Sequence, residues 1–210
     1  MAAEAAVETS ALEKRPYTID DLLELDDGYH RFELLDGTLI MSPAPGYDHQ
    51  QFSASLHMLL TRHAPKGIRV HIAGDVRLFG GNENGLVPDH VITRAGVSTR
   101  GRTWLDAEEV LCVVEVVSPG SRRLDRVTKP SAYADAGIPF LWRVELTPFP
   151  GQLHEQVPVI LVHELRDGRY RLIERLAAGA AGKIMHPFPV EFDPAELLDE
   201  EWPERFYDEA

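Results

Sequence analysis

Eight residues, Val110-Leu111-Cys112-Val113-Val114-Glu115-Val116-Val117, form an apolar, valine-rich run interrupted by one carboxylate. A run this short suits a central strand covered on both faces. A helical pattern from Leu124 to Ala136 follows, stopped by Gly137, and a second apolar run, Phe140 to Leu146, comes after it. Strand, helix and strand in succession predict two parallel neighbours joined by a right-handed crossover. Glu115 is then the most informative residue of the chain. An unpaired ionised carboxylate inside a sheet costs several kcal/mol or more, so Glu115 requires a compensating charge, and an arginine partner or a divalent metal would each supply one.

The segments around this unit read as an α/β (α+β) fold, a mixed sheet with few helices. Thr18 and Asp21, with Leu22, Leu23 and Leu25, predict a capped short helix. His30 to Leu35 and Thr38 to Ser42 flank Asp36-Gly37, a hairpin signal because both central turn residues need positive φ. Asp48 opens a helix with Phe52, Leu56, Leu59, Leu60 and His63 at helical spacing, ended by Pro65 and Gly67. Ile68 to Ala73, Val76 to Phe79 and Leu86 to Thr93 read as strands, the last after the turn-rich Gly80 to Gly85. The Pro-rich segment Thr147 to Pro158 reads as a long loop, with a homodimer arm as the alternative. Val159 to Leu165 and Tyr170 to Leu176 make a second hairpin around Asp167-Gly168, and Pro194 to Leu198 a short acidic helix. At 210 residues and 44% hydrophobic content, the expected organisation is an acidic tail over residues 1–16, one domain over 17–198 and an acidic tail over 199–210.

The one cysteine, Cys112, excludes an internal disulfide and a thiolate zinc cluster. No apolar run approaches a membrane span, and Met1 to Ser10 carries acids where a secretory signal has a basic region, so a cytoplasmic location without a membrane partner is expected. A net charge of −13 argues against a polyanionic partner only if it is evenly spread. It is not: residues 1–30 hold eight acids and two bases, residues 188–210 nine acids and one base, and residues 31–187 a net of +1. Within that middle, Arg100, Arg102, Arg122, Arg123, Arg126 and Lys129 suit a local basic rim or a solvated face.

Several residues are candidates for chemistry. Pro88-Asp89 opens an apolar strand, which puts Asp89 at a strand end; alone, such a dipeptide is more often a turn cap. If this strand neighbours that of Glu115, the two carboxylates converge and present hard oxygens to Mg²⁺ or Mn²⁺. Glu33 alternates with Phe32 and Leu34 and points to the face opposite them, where solvent is the simpler surrounding. His49 stands at a helix start, as a site residue or a surface residue, while His57 and His63 read as ordinary helix residues. The small-residue loop Ser118-Pro119-Gly120-Ser121 leads into a basic helix start suited to an anion, with Arg122, Arg123 and Arg126 as candidate nucleic-acid contacts. It has neither the Gly-Lys-Ser/Thr ending of a P-loop nor a Gly-x-Ser-x-Gly elbow.

Taken in order, Phe32-Glu33-Leu34-Leu35-Asp36-Gly37, Pro45 to His49, Pro88-Asp89, Val113 to Pro119, Asp125-Arg126-Val127-Thr128-Lys129, Tyr133 to Ile138 and Leu141-Trp142 resemble the Uma-two family of restriction-endonuclease-like proteins, over about Tyr17 to Leu198. The resemblance implies a restriction-endonuclease-like PD-(D/E)XK core, a mixed β-sheet flanked by helices, here with extra β-hairpins, carrying a metal-dependent phosphodiester site. It matches Asp89 to the Asp of the PD element and Glu115 to the second acid, both as ligands of Mg²⁺ or Mn²⁺ and joined by the Val116 carbonyl. Glu33 matches the upstream glutamate. Val117 stands where the pattern has lysine, and Lys129, in the Asp-Arg-x-x-Lys segment, is the substitute. Pro130 disfavours helix in the residue before it, so a kink or a later helix start is expected there. Arg143 and Glu145 stand where relatives end the strand with an aspartate.

The leading expectation is an Mg²⁺-dependent endonuclease acting on nucleic acid, DNA foremost. Asp89 and Glu115 would hold the metal, Lys129 would position water or stabilise charge, and Glu33 or His49 would assist. The rival is a nuclease-fold protein without catalysis that binds nucleic acid or protein, or pairs as a homodimer. A third reading, a carboxylate-pair hydrolase acting on sugars, uses Glu33, Asp89 and Glu115 but leaves the basic stretch idle.

Overall fold

The valine-rich run lies where its composition puts it, inside a six-stranded sheet. The structure, a computed structural model, describes residues 15–25, 31–42, 45–79, 81–202 and 204. In chain order these form α1 (Ile19–Leu25), β1 (Arg31–Leu35), β2 (Thr38–Ser42), α2 (Tyr47–His63), β3 (Val70–Ile72), β4 (Asp75–Arg77), β5 (Gly85–Leu86), β6 (His90–Thr93) and β7 (Trp104–Asp106). Then come β8 (Val110–Val117), a π-helical segment (Leu124–Thr128), α3 (Lys129–Asp135), β9 (Phe140–Glu145), β10 (Gln156–Arg166), β11 (Arg169–Ala178), β12 (Gly182–Ile184) and β13 (Val190–Phe192). Short 3-10 turns cover Ala107–Glu109 and Pro194–Leu198. Among the described residues no helix is long and apolar enough to cross a membrane.

The larger sheet runs β11-β10-β9-β8-β6-β3, and a five-stranded sheet runs β2-β1-β5-β4-β7. β8 and β9 are parallel, as the strand–helix–strand succession predicts, and β6 is antiparallel to β8. Alternation along β8 then divides the core. Cys112, Val114 and Val116 pack with Trp142 and Val144 against Phe52, Leu56, Leu59 and Leu60 of α2. Val113, with Val91 and Leu141, packs against Ala132 and Tyr133 of α3 and against Val76 and Leu86 of the smaller sheet. Glu115 shares the Val113 side and so faces α3.

Both Asp-Gly turns form as their chemistry requires: Asp36 and Gly37 have φ of 48° and 69°, and Asp167 and Gly168 have 51° and 71°. The expected strand Leu86 to Thr93 divides into β5 and β6, with Pro88, which has no N–H to give a ladder, in the gap. The segment read as a loop to Pro158 ends earlier, because β10 begins at Gln156. Most of the tail expected over 1–16 and the end of that over 199–210 lie outside the described residues, but Trp202 packs in the α2 core.

Candidate functional site

The site begins where the β6–β8 ladder stops. His90 pairs with Val114, so one further step brings Asp89 opposite Glu115. The Asp89 carboxylate takes the place of strand backbone there: its Oδ2 accepts the Val116 N–H at 2.8 Å. The N–H and C=O of a residue in an extended strand point to the same side, so the Val116 carbonyl faces the Asp89 side too. Arg31 Nη1 lies 3.3 Å from Asp89 Oδ1, and His49 Nε2, at the start of α2, is 3.2 Å from Oδ2.

A second set of side chains descends from the helix after β8. Asp125, Lys129 and Tyr133 recur every fourth residue and share a face. Lys129 Nζ is 2.8 Å from Glu33 Oε1, 3.2 Å from Glu115 Oε1 and 3.7 Å from Asp125 Oδ1. Tyr133 Oη donates to Glu115 Oε1 at 2.6 Å. Glu33 also accepts the Val87 N–H at 2.9 Å, and Ser121 Oγ donates to Asp125. Pro130 does not displace Lys129. The wide π turn lets the Lys129 N–H bond to the Leu124 carbonyl five residues back, and Pro130 falls in the first turn of α3, where its missing N–H costs little. Glu33, read from its alternation as solvent-facing, is fully buried, with Lys129 of the helix after β8 against its carboxylate.

Five ionisable side chains of this cage, Glu33, Asp89, Glu115, Asp125 and Lys129, are almost wholly buried. Burial pushes the Glu115 carboxyl well above the usual range, with Lys129 opposing. Burial also raises Asp125, to about 6, again against Lys129. Burial pushes Asp89 upward as well, but the hydrogen bond and charge of His49, the Val116 N–H and Arg31 outweigh it and hold Asp89 at about 2. Lys129 is disfavoured by burial and yet held above its ordinary value by Glu115, Glu33 and Asp125.

These residues fit a divalent cation. Four carboxylates face one buried lysine and one part-exposed arginine, which leaves an excess of two negative charges when all are ionised. The donors are hard oxygens, and the register sets Asp89 opposite Glu115 and next to Val116. Among the described residues no group of three or more His, Cys, Asp or Glu is arranged around one ion. Mg²⁺ commonly takes one or two carboxylates and keeps several waters.

The basic residues separate. Arg122 and Arg123 are exposed, whereas Arg126 forms a two-point ion pair with buried Glu145, at 3.0 and 2.7 Å. His57 stacks on His90 at 6.0 Å, and His63 bonds to the Leu59 carbonyl, so neither enters the site. Arg31, Asp125 and Tyr133 join the cage without having been picked out as site residues. The signals were there: Arg31 is two residues from Glu33 on a strand, and Asp125, Lys129 and Tyr133 keep helical spacing.

A mixed sheet with helices, buried acids at the end of two central strands and a lysine among them defines a nuclease-like fold of the restriction-endonuclease class. The chain belongs to the Uma2 family, described as "Putative restriction endonuclease", whose model matches residues 19–197. A crystal structure of a "putative nuclease belonging to DUF820" from Anabaena variabilis is similar, with a TM-score of 0.64 at 17% identity over 89% of this chain and 99% of that one. That likeness bears on the fold. No curated protein matches the chain.

Proposed function

We propose that this chain hydrolyses phosphodiester bonds of nucleic acid, DNA foremost, with Mg²⁺ or Mn²⁺ held by Asp89, Glu115 and the Val116 carbonyl. The observation that carries this reading is the excess of buried carboxylate charge around Lys129 at the end of β6 and β8. A bound divalent cation supplies Lewis-acid activation of water and neutralises developing charge. The chain's own residues supply the rest. Tyr133 and Lys129 orient Glu115, while Val116 N–H, His49 and Arg31 fix Asp89. Lys129 Nζ carries positive charge beside the acids, suited to a phosphate oxygen or an attacking water. Glu33 holds Lys129 in place, and His49 Nε2 lies 3.2 Å from Asp89. Arg122 and Arg123 extend a positive surface beyond the cage.

Supercoiled DNA and a structured RNA, incubated with Mg²⁺, test the reading. Cleavage should occur with wild type and be lost in Asp89→Ala and Glu115→Gln, with circular dichroism unchanged. Equal cleavage by either variant would refute the assigned roles. One observation favours a second reading, a nuclease-fold binding module without catalysis: Lys129 Nζ already sits between Glu33 and Glu115, where a cation's charge would otherwise go. Wild-type nucleic-acid binding that is indifferent to metal, with no cleavage, is its signature.

A further inference from the structure

The end of β9 carries a charge cluster that the acid cage does not use. Both oxygens of fully buried Glu145 are taken by Arg126, through Nε and Nη2. Arg143, two residues before Glu145 on the same strand face, approaches that carboxylate through Nε at 3.1 Å without completing a hydrogen bond. Among the described residues its two terminal nitrogens have no protein acceptor. Burial lowers the Arg143 pKa from its ordinary value; Glu145 opposes this, and Arg126 and Arg175 add repulsion. Arg175 is itself engaged by Glu155. Two guanidiniums therefore share one carboxylate, one positive charge is left over, and among the described residues the largely buried Arg143 has no anion of its own.

Position gives this surplus a use. The β8–β9 register sets Arg143 beside Glu115 and Glu145 beside Val117, and partners in register share a face. Adjacent strands lie about 4.8 Å apart, so the unmatched fork lies on the cage side of the sheet, one strand away. Side chains of Arg126 and Arg143 keep 16% and 18% of their surface exposed, so a ligand can reach them. Two parallel N–H groups of a guanidinium match two oxygens of a phosphate, a geometry lysine cannot reproduce. We propose that Arg143, with Arg126 beside it, is a phosphate-binding point for a nucleic-acid backbone, seating a phosphodiester next to the one at the acid cage. The inference rests on the nucleic-acid reading above but not on catalysis.

The test is fluorescence anisotropy with a short labelled DNA duplex and an RNA duplex of the same sequence, in EDTA so that nothing is cleaved, across a salt series. Arg143→Gln should bind the preferred duplex about ten-fold more weakly, and its log–log salt slope should be shallower by about one. Arg143→Lys, which keeps the charge and loses the fork, should recover the slope but only part of the affinity, and it serves also if the glutamine variant does not fold. Glu145→Gln frees both guanidiniums and should bind more tightly than wild type, a gain that a purely structural ion pair would not give. Equal affinities and slopes for wild type, Arg143→Lys and Glu145→Gln, or no wild-type binding to either duplex, would overturn the proposal. If Asp89→Ala cleaves as wild type does while Arg143→Gln binds weakly, the hydrolytic reading falls and this one stands. Cleavage that needs Asp89, with binding indifferent to residues 143 and 145, gives the reverse.

Discussion

Lys129 is the residue on which the cage depends. Removing one partner from a buried charge cluster leaves the others uncompensated, a loss of about 3–5 kcal/mol. Lys129→Met should therefore lower stability by about that amount at neutral pH, read by urea denaturation. The deficit should shrink at mildly acidic pH. Asp125, raised by burial to about 6 from an ordinary 3.8, binds a proton more readily folded than unfolded. Its ionisation thus removes stability as pH rises through about 6, and protonation restores it. Glu115 shifts in the same direction through burial. Glu115→Gln keeps the shape and discards the buried charge, so without metal its melting temperature should equal or exceed that of wild type. A fall of several degrees would mean that the ionised carboxylate stabilises the fold.

At the scale of elements, the β1–β2 hairpin carries Arg31 and Glu33 into the site, and its turn is the sensitive point. Gly37 has φ of 69°, and an added Cβ would come within 2.3 Å of Pro16 Cβ. Gly37→Ala should cost at least about 1–2 kcal/mol from the left-handed backbone alone, measured by urea denaturation. This hairpin, α2, β8, β9 and the β10–β11 hairpin were legible in the sequence because Asp-Gly turns, helical spacing and an unbroken valine run are local signals. β7, β12 and β13 were not, since three-residue strands acquire their conformation from partners distant in sequence. The same distinction explains the site. Asp89 and Glu115 stood out as individual residues, but the burial of Glu33 and the contact of Arg31 with Asp89 depend on how two sheets meet. The π turn that admits Pro130 without moving Lys129 has no sequence pattern of its own.

For the whole molecule, the net charge misstates what the centre of the chain can bind. Residues 31–187 are close to neutral at +1, while residues 1–30 and 188–210 carry net charges of −6 and −8. Residues 1–14 contain three acids and one base, so a chain lacking them should bind a nucleic-acid duplex more tightly at low salt. The gain should fade once the Debye length drops to about 3 Å near 1 M salt. Anisotropy titrations of the two proteins would show it, and equal affinity at low salt would count against repulsion by that end. The central claim is that acids brought together by β6 and β8 take up a divalent cation. Isothermal calorimetry with Mn²⁺ tests it most directly: wild type should show one saturable site that Asp89→Ala abolishes, whereas no heat of binding at millimolar metal, or equal binding by the variant, would contradict it.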